Sequence, residues 1–458
     1  MSEAVDLLIV GAGPAGMAAA LEARAGGLSA LVLDENRAAG GQVWRAAEAN
    51  AAGGGSLGAD YAAGAAMAEA LRKSEVPTRF GATVWAIEPE GRVYYTVDGT
   101  AQSVEAGRVL LATGALERPL PIPGWTLPGV MTVGAAQILL KTAGLRPEGR
   151  VWIAGQGPLV RLFAVQALAA GGSLAGILDL APPASSVLGI GDLPALAGAS
   201  DLVAKGVRWG RTITAAGVRW HPARSIRAEA GDDGRLARVR FQDGRGERAE
   251  DADLLLLHDG VIPNTQITRA LGLRHVFDAG QRSWRPVLDA MGRSSLPLVL
   301  VAGDGGFILG AEGALITGRL AAIAAAADLG KLDAETAGRR TRPLLKRLSV
   351  HRKFRTVLDK LYPARAPVLD DSATVCRCEE VTAGEVRAAA GLGCLGLNQM
   401  KSFTRCGMGP CQGRMCASTA AELLAEARGV RLPEIEPYRG RFPTKPLTLG
   451  ELAALEDA

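Results

Sequence analysis

The run V-D-L-L-I-V-G-A-G-P-A-G near the N-terminus constrains this chain's fold more than any other segment. An apolar strand over residues 5–10 enters a turn carrying Gly11, Gly13 and Gly16. An alanine-rich helix follows to about Gly26, and a strand from Leu28 to Leu33 ends on Asp34 and Glu35. This is a βαβ unit. Its three glycines suit a tight turn, close backbone approach to a pyrophosphate, and close helix–strand packing. Pro14 and Ala15 open the helix, whose N-terminus offers free amides and a partial positive charge to phosphates. Asp34, with Glu35 beside it, is placed to accept hydrogen bonds from ribose hydroxyls. A glycine turn alone also occurs without a ligand. The βαβ context and the spacing of the acid argue for a nucleotide.

A second strand–glycine–helix unit begins at Val151, with Gly155-Gln156-Gly157, a helix through Ala170 and a strand ending at Asp179. Val160 stands where a third glycine belongs, and is expected to push helix and strand apart. An NAD(P) site, a structural adenine nucleotide at Gly155/Gly157 and an empty architectural module all stay open. The expected fold is α/β, with two Rossmann-like dinucleotide-binding domains. Residues 1–117 and 256–335 form one discontinuous domain and 118–255 are inserted in it. A basic connector spans 336–369, a small helical cysteine domain 370–428, and an extended, proline-spaced tail 429–458.

All six cysteines lie between Cys376 and Cys416. With none near the first nucleotide site, a redox disulfide beside it is excluded. Clustered cysteines in a chain without a visible secretory signal favour metal or redox chemistry. The C-x-C start does not suit zinc-ribbon knuckles. Thiolates on two short loops held by helices suit a [2Fe–2S] cluster, with zinc and free thiols as alternatives. Thr382 and Glu385 form a capping box that starts a helix just after Cys378. Glycines at 407, 409 and 413 are expected to let backbone amides approach sulfur.

Composition removes other classes. A net charge of +4 from 51 basic and 47 acidic residues, with 4% aromatics, argues against nucleic acid as a partner. The alanine-rich stretch after Arg319 is too short and interrupted for a transmembrane segment, and a cytoplasmic protein is expected. His221, His258, His275 and His351 lack metal spacing, and no catalytic acid–base constellation is visible.

With Ala112-Thr113-Gly114 and Gly303-Asp304, residues 5–330 resemble the glutathione-reductase-like flavoproteins. The resemblance implies FAD held by the first glycine turn. Thr113, Gly114, Gly303 and Asp304 would close the site, Val84 would touch the adenine, and Gly41 and Gln42 would lie near the flavin. C-R-C-E-E and G-M-G-P-C-Q-G-R-M-C resemble the bacterioferritin-associated-ferredoxin-like domain, which implies Cys376, Cys378, Cys411 and Cys416 as metal ligands. Cys406 is a fifth candidate, and Cys394 is read as a small core residue.

The whole chain resembles the A-type subunit of opine oxidases, D-hydroxyproline dehydrogenases and hydrogen cyanide synthase. Gly40-Gly41-Gln42-Val43-Trp44-Arg45, Pro128-Gly129-Val130 and Gly155-Gln156-Gly157-Pro158-Leu159 carry that likeness. It implies a hetero-oligomer with a D-amino-acid-oxidase-like FAD subunit, and with room for a small ferredoxin-like subunit. This chain would relay electrons from an amino or imino acid to an acceptor, one that could lie at the inner membrane. The alternatives are a self-sufficient NAD(P)H-dependent FAD/iron–sulfur oxidoreductase and a zinc-stabilised redox scaffold.

Overall fold

The computed structural model describes residues 3–52 and 57–455. Glu3–Val10 lies at the middle of a seven-stranded sheet. On one side stand Ala30–Asp34 and Thr78–Phe80; on the other stand Thr100–Leu111, Arg92–Val97 and Thr83–Ile87. Val299–Val301 pairs in parallel with Thr100–Leu111. Leu7, Leu8 and Ile9 are fully buried, because layers cover both faces, and this explains their continuous apolar run. One layer contains the helices Pro14–Ala25 and Gly310–Asp328, which cross in contact. A Cβ at Gly318 would lie 2.1 Å from the Ala15 carbonyl oxygen, so only glycine permits that crossing.

The second sheet is entirely parallel. Its order is Arg219–Pro222, Gly176–Asp179, Val151–Gln156, Leu254–Asp259, Val130–Thr132. A three-stranded antiparallel sheet over Ser225–Ala230, Leu236–Asp243 and Gly246–Asp251 accompanies it. The chain enters and leaves this region through two adjacent strands, Ala115–Glu117 and Val261–Pro263. Val160 does not lever its helix away as the sequence reading expects. It is 1% exposed and packs with Val133, Ile153 and Phe163. Gly157, at φ +101°, makes the turn, and Pro158 starts the helix, so the Val160 side chain falls into the core.

The basic connector is largely one helix, Ala334–Leu361, capped by Asp333, whose carboxylate accepts from the Thr336 amide. Leu344 and Leu348 pack on Ile316, Leu320 and Ile323. Arg340 and Arg319 share Glu22, at 2.5 and 2.7 Å. The cysteine region has its own core, built on Ala383–Gly391, Leu397–Thr404 and Ala417–Arg428. The Thr382–Glu385 capping box is formed. The tail is less uniformly extended than its prolines imply. It makes a 3-10 turn at Leu432–Glu434 and a helix at Leu449–Ala453. Between these it returns to the first domain, where Thr444 N donates to Trp85 O and Lys445 pairs with Glu35. Among the described residues, no helix is long and apolar enough to cross a membrane.

Candidate flavin and thiol sites

Four glycine-bearing segments converge at the carboxyl ends of the first sheet. A Cβ on Gly11 would lie 2.5 Å from the Ala112 carbonyl oxygen, and one on Gly16 only 1.8 Å from the Gly11 carbonyl oxygen. Gly41 faces Gly13 so closely that its Cβ would sit 2.9 Å from Gly13 Cα. Gly303 meets Ala15 at 2.9 Å in the same sense. A Cβ on Gly114 would meet open space. The Gly11–Gly16 turn, the Gly40–Gly41 turn and the 112–114 and 303–305 loops thus form one backbone-lined crevice at a helix N-terminus. Such a crevice fits an extended dinucleotide whose phosphates need amides rather than side chains.

The carboxylates at its rim differ in role. Asp34 is buried. Its Oδ2 accepts from the Ala12 amide at 2.6 Å, and its Oδ1 accepts from Asn36 N and Nδ2, both at 2.7 Å. Asp34 therefore clamps the glycine turn to the second strand, a role that sequence reasoning did not see. Glu35 is exposed and pairs with Lys445 at 2.5 Å. Val84 lies close by, because Ala82 N donates to the Asp34 carbonyl at 2.9 Å. Asp304 Oδ1 accepts from Leu309 N and Gly310 N, and burial pushes its carboxyl upward.

Behind the Gly40–Gly41 turn sits Lys141, 3% exposed. Its ammonium donates to the carbonyls of Gln42 and Val43 and to Gln137 Oε1, each at 3.0 Å. Burial, with Arg45 nearby, lowers it from 10.5 to about 8. Nothing in the sequence singled Lys141 out, since a lysine on an amphipathic helix usually faces water.

The second glycine unit is built differently. A Cβ on Gly155 would lie 2.0 Å from the His258 carbonyl oxygen, so this glycine serves strand–strand packing. Gly157 faces open space. The carboxyl ends of the strands are crossed by the end of the connector. Gln156 Nε2 donates to the Pro363 carbonyl at 2.6 Å and to Asp259 Oδ1 at 2.8 Å. Arg365 donates to the Leu180 carbonyl through Nη1 and to Asp259 through its amide. His258, isolated in sequence, is buried and shares a 2.6 Å hydrogen bond with Glu117 at the crossing between the two domains. Glu117 also accepts from Gly134 N, so the pair pins the crossing strands to the following helix.

The thiols form two groups. Cys376, Cys406 and Cys416 are buried, with sulfurs all within 4.8 Å of one another. Cys378 and Cys411 lie within hydrogen-bonding reach of each other, and Cys411 is close enough to Cys416 to act on its charge. Cys394 is buried apart, its thiol donating to Gly396 O. Geometry thus draws Cys406 into the centre of the set. Its thiol is held down to about 7 by a hydrogen bond from Cys416, which raises Cys416 in turn. Three clustered thiols with a second pair nearby offer more sulfurs than the four a [2Fe–2S] cluster needs.

Tyr438, from the tail, covers this group. Its ring lies 2.6 Å from where a Cβ would stand on Gly407 or on Gly413, and Gly409 is packed equally hard against Cys378 Cβ. The loop glycines therefore make room for Tyr438 and Cys378. The Tyr438 hydroxyl is buried and aimed at Cys406 without a well-formed hydrogen bond. The cysteine region is fastened to the first domain by Arg282, which grips Glu422 through Nε and Nη2, and to the inserted one by Trp125, which donates to Thr374 O.

These features agree with comparisons to known proteins. Residues 5–328 match the pyridine nucleotide-disulphide oxidoreductase family, and residues 371–456 match the sarcosine oxidase A3 domain. The A-type subunit of opine oxidase from Rhizobium meliloti is 43% identical, over 99% of this chain and 88% of that protein. Hydrogen cyanide synthase subunit HcnB of Pseudomonas aeruginosa is 34% identical, over 96% of each. In fold, the chain is similar to L-proline dehydrogenase from P. horikoshii, with TM-score 0.69, 20% identity, and coverage of 99% and 80% respectively. The chain belongs to the pyridine nucleotide-disulphide oxidoreductase family and, within it, to the A-type subunits typified by that of opine oxidase. It is a flavin-dependent oxidoreductase.

Proposed function

We propose that this chain is the electron-transferring subunit of a heteromeric dehydrogenase acting on the C–N bond of an amino or imino acid. FAD is assigned to the Gly11–Gly16 crevice and a [2Fe–2S] cluster to the cysteine cage. Bound there, a flavin exchanges electrons in pairs as hydride and an iron–sulfur centre passes them singly, so one chain carrying both converts between the two. The residues supply the supports. Asp34 locks the phosphate-facing turn, and Lys141 holds the Gly40–Val43 turn. Arg282–Glu422 ties the cage to the first domain and Trp125–Thr374 ties it to the inserted one, and Tyr438 covers the buried thiol of Cys406. Amine oxidation itself is assigned to a D-amino-acid-oxidase-like FAD subunit. The further partner in this reading is a small ferredoxin-like subunit.

One observation favours this relay over a self-sufficient NAD(P)H oxidoreductase. Residues 363–365 lie hydrogen-bonded across the carboxyl ends of three parallel strands. That edge is where open α/β sheets receive a nucleotide. A second adenine nucleotide at Gly155/Gly157 would be confined to the open Gly157 turn. Anaerobic stopped-flow mixing tests the reading. NADH or NADPH is expected to leave the flavin oxidised on the second timescale, whereas the co-purified complex is reduced by its amine substrate. Rapid bleaching of the isolated chain by NADH would promote the self-sufficient alternative.

A further inference from the structure

A cavity of about 620 Å³ opens beside Tyr438, at a three-way junction. Arg269, Leu273, His275 and Trp284 wall it from the first domain. Asn398 and Lys401 contribute from the cysteine region, and residues 436–441 from the tail. The tail is clipped in place here. Asn398 accepts from the Arg439 amide at 2.9 Å and donates to the Pro437 carbonyl at 3.2 Å. Gly440 passes so close to Ala270 N that a Cβ would lie 3.1 Å away.

Charge makes this cavity unusual. Arg269, Lys401, Arg439 and Arg441 line it, against the single carboxylate of Glu436. Among the described residues, none of the four cations forms an ion pair. The Arg269 guanidinium donates to Thr265 Oγ1, at 3.1 Å, and lies over Trp284 at 5.7 Å. Lys401 lies over the Tyr438 ring at 6.0 Å. Burial lowers Arg269 to about 10, partly offset by Glu436. His275, lowered to about 4 by burial and by Arg269, stays neutral and adds no further positive charge. Gathering cations without counterions is costly unless an anion completes the site. The volume lies within the usual range for small-ligand pockets.

We propose that this junction binds a small organic polyanion, carrying phosphate or paired carboxylates, with Arg269 as its buried anchor and Trp284 flanking its body. By joining tail, cysteine region and first domain, the anion would also tighten the seat of Tyr438 over the thiols.

Isothermal titration of the full-length, cofactor-loaded protein tests it, with inorganic pyrophosphate, adenosine monophosphate and succinate as probes. At least one is expected to bind saturably, and the order of affinities separates phosphate from carboxylate ligands. Arg269→Gln should weaken that probe about ten- to a hundredfold, the scale of a lost charge-assisted hydrogen bond. The exposed pair Arg439→Gln/Arg441→Gln should weaken it by a smaller factor while flavin content and visible spectrum stay unchanged. If Arg269→Gln does not fold, the paired variant decides alone. Absence of saturable binding by all three probes at low salt would overturn the proposal. So would affinity that neither variant changes.

Discussion

Lys141 offers a quantitative test of how the flavin crevice is held. Its ammonium is buried against the Gln42 and Val43 carbonyls, with Arg45 as the nearby charge and the Tyr61 ring 5.7 Å away. Among the described residues, no carboxylate pairs with it. Folding lowers its pKa from 10.5 to about 8, so between those values the unfolded chain holds a proton that the folded chain has released. Stability must then rise with pH across that window. Below the folded value the unfavourable contribution is fully present. It is about 3 kcal/mol, from 2.5 pH units at about 1.4 kcal/mol each. Between about pH 7 and pH 9.5, roughly 2 kcal/mol of it is recovered. Lys141→Met keeps the side-chain bulk and removes the titration, so groups common to both proteins cancel in the difference. Urea unfolding at a series of pH values, followed by flavin release, measures that difference. The wild type should gain about 2 kcal/mol relative to Lys141→Met as pH rises. A gap that stays constant over this range, or one that moves the other way, refutes the buried-cation reasoning.

Two further outcomes follow from the sites. Gly13→Leu places a side chain where the phosphates must approach, and should yield folded protein with flavin content near zero; normal content would move the flavin elsewhere. In a serine scan of the six cysteines, Cys376→Ser, Cys406→Ser and Cys416→Ser should each abolish the cluster's visible absorbance. Cys394→Ser should leave it unchanged, and Cys378→Ser and Cys411→Ser together identify the remaining ligand. Retention of full absorbance in Cys406→Ser would restore the four-cysteine set read from the sequence alone. Zinc instead of iron in anaerobically prepared protein would remove the relay altogether.

The parts of this protein legible in its sequence are those whose physics is local. A strand–glycine–helix turn needs only neighbours along the chain, and so does the capping box at Thr382. The clustering of cysteines in one segment is likewise a property of the chain itself. What the sequence could not decide is which side chain meets which across large separations. Cys406 joins Cys376 and Cys416 because helix Leu397–Thr404 and the loop after it return to the C-R-C segment, and spacing alone treats Cys406 and Cys411 alike. Tyr438 looks like one residue of a proline-spaced tail until the fold lays it over Gly407 and Gly413. Val160 looks like a defect in a glycine fingerprint until packing shows it in the core. Asp34 reads in the sequence as a ribose ligand, and only the fold adds that its carboxylate also holds the Ala12 amide, 22 positions earlier. The cationic junction has no sequence signature at all. Its residues come from three stretches between Arg269 and Arg441, and their like charges share one cavity only because tertiary packing brings them there.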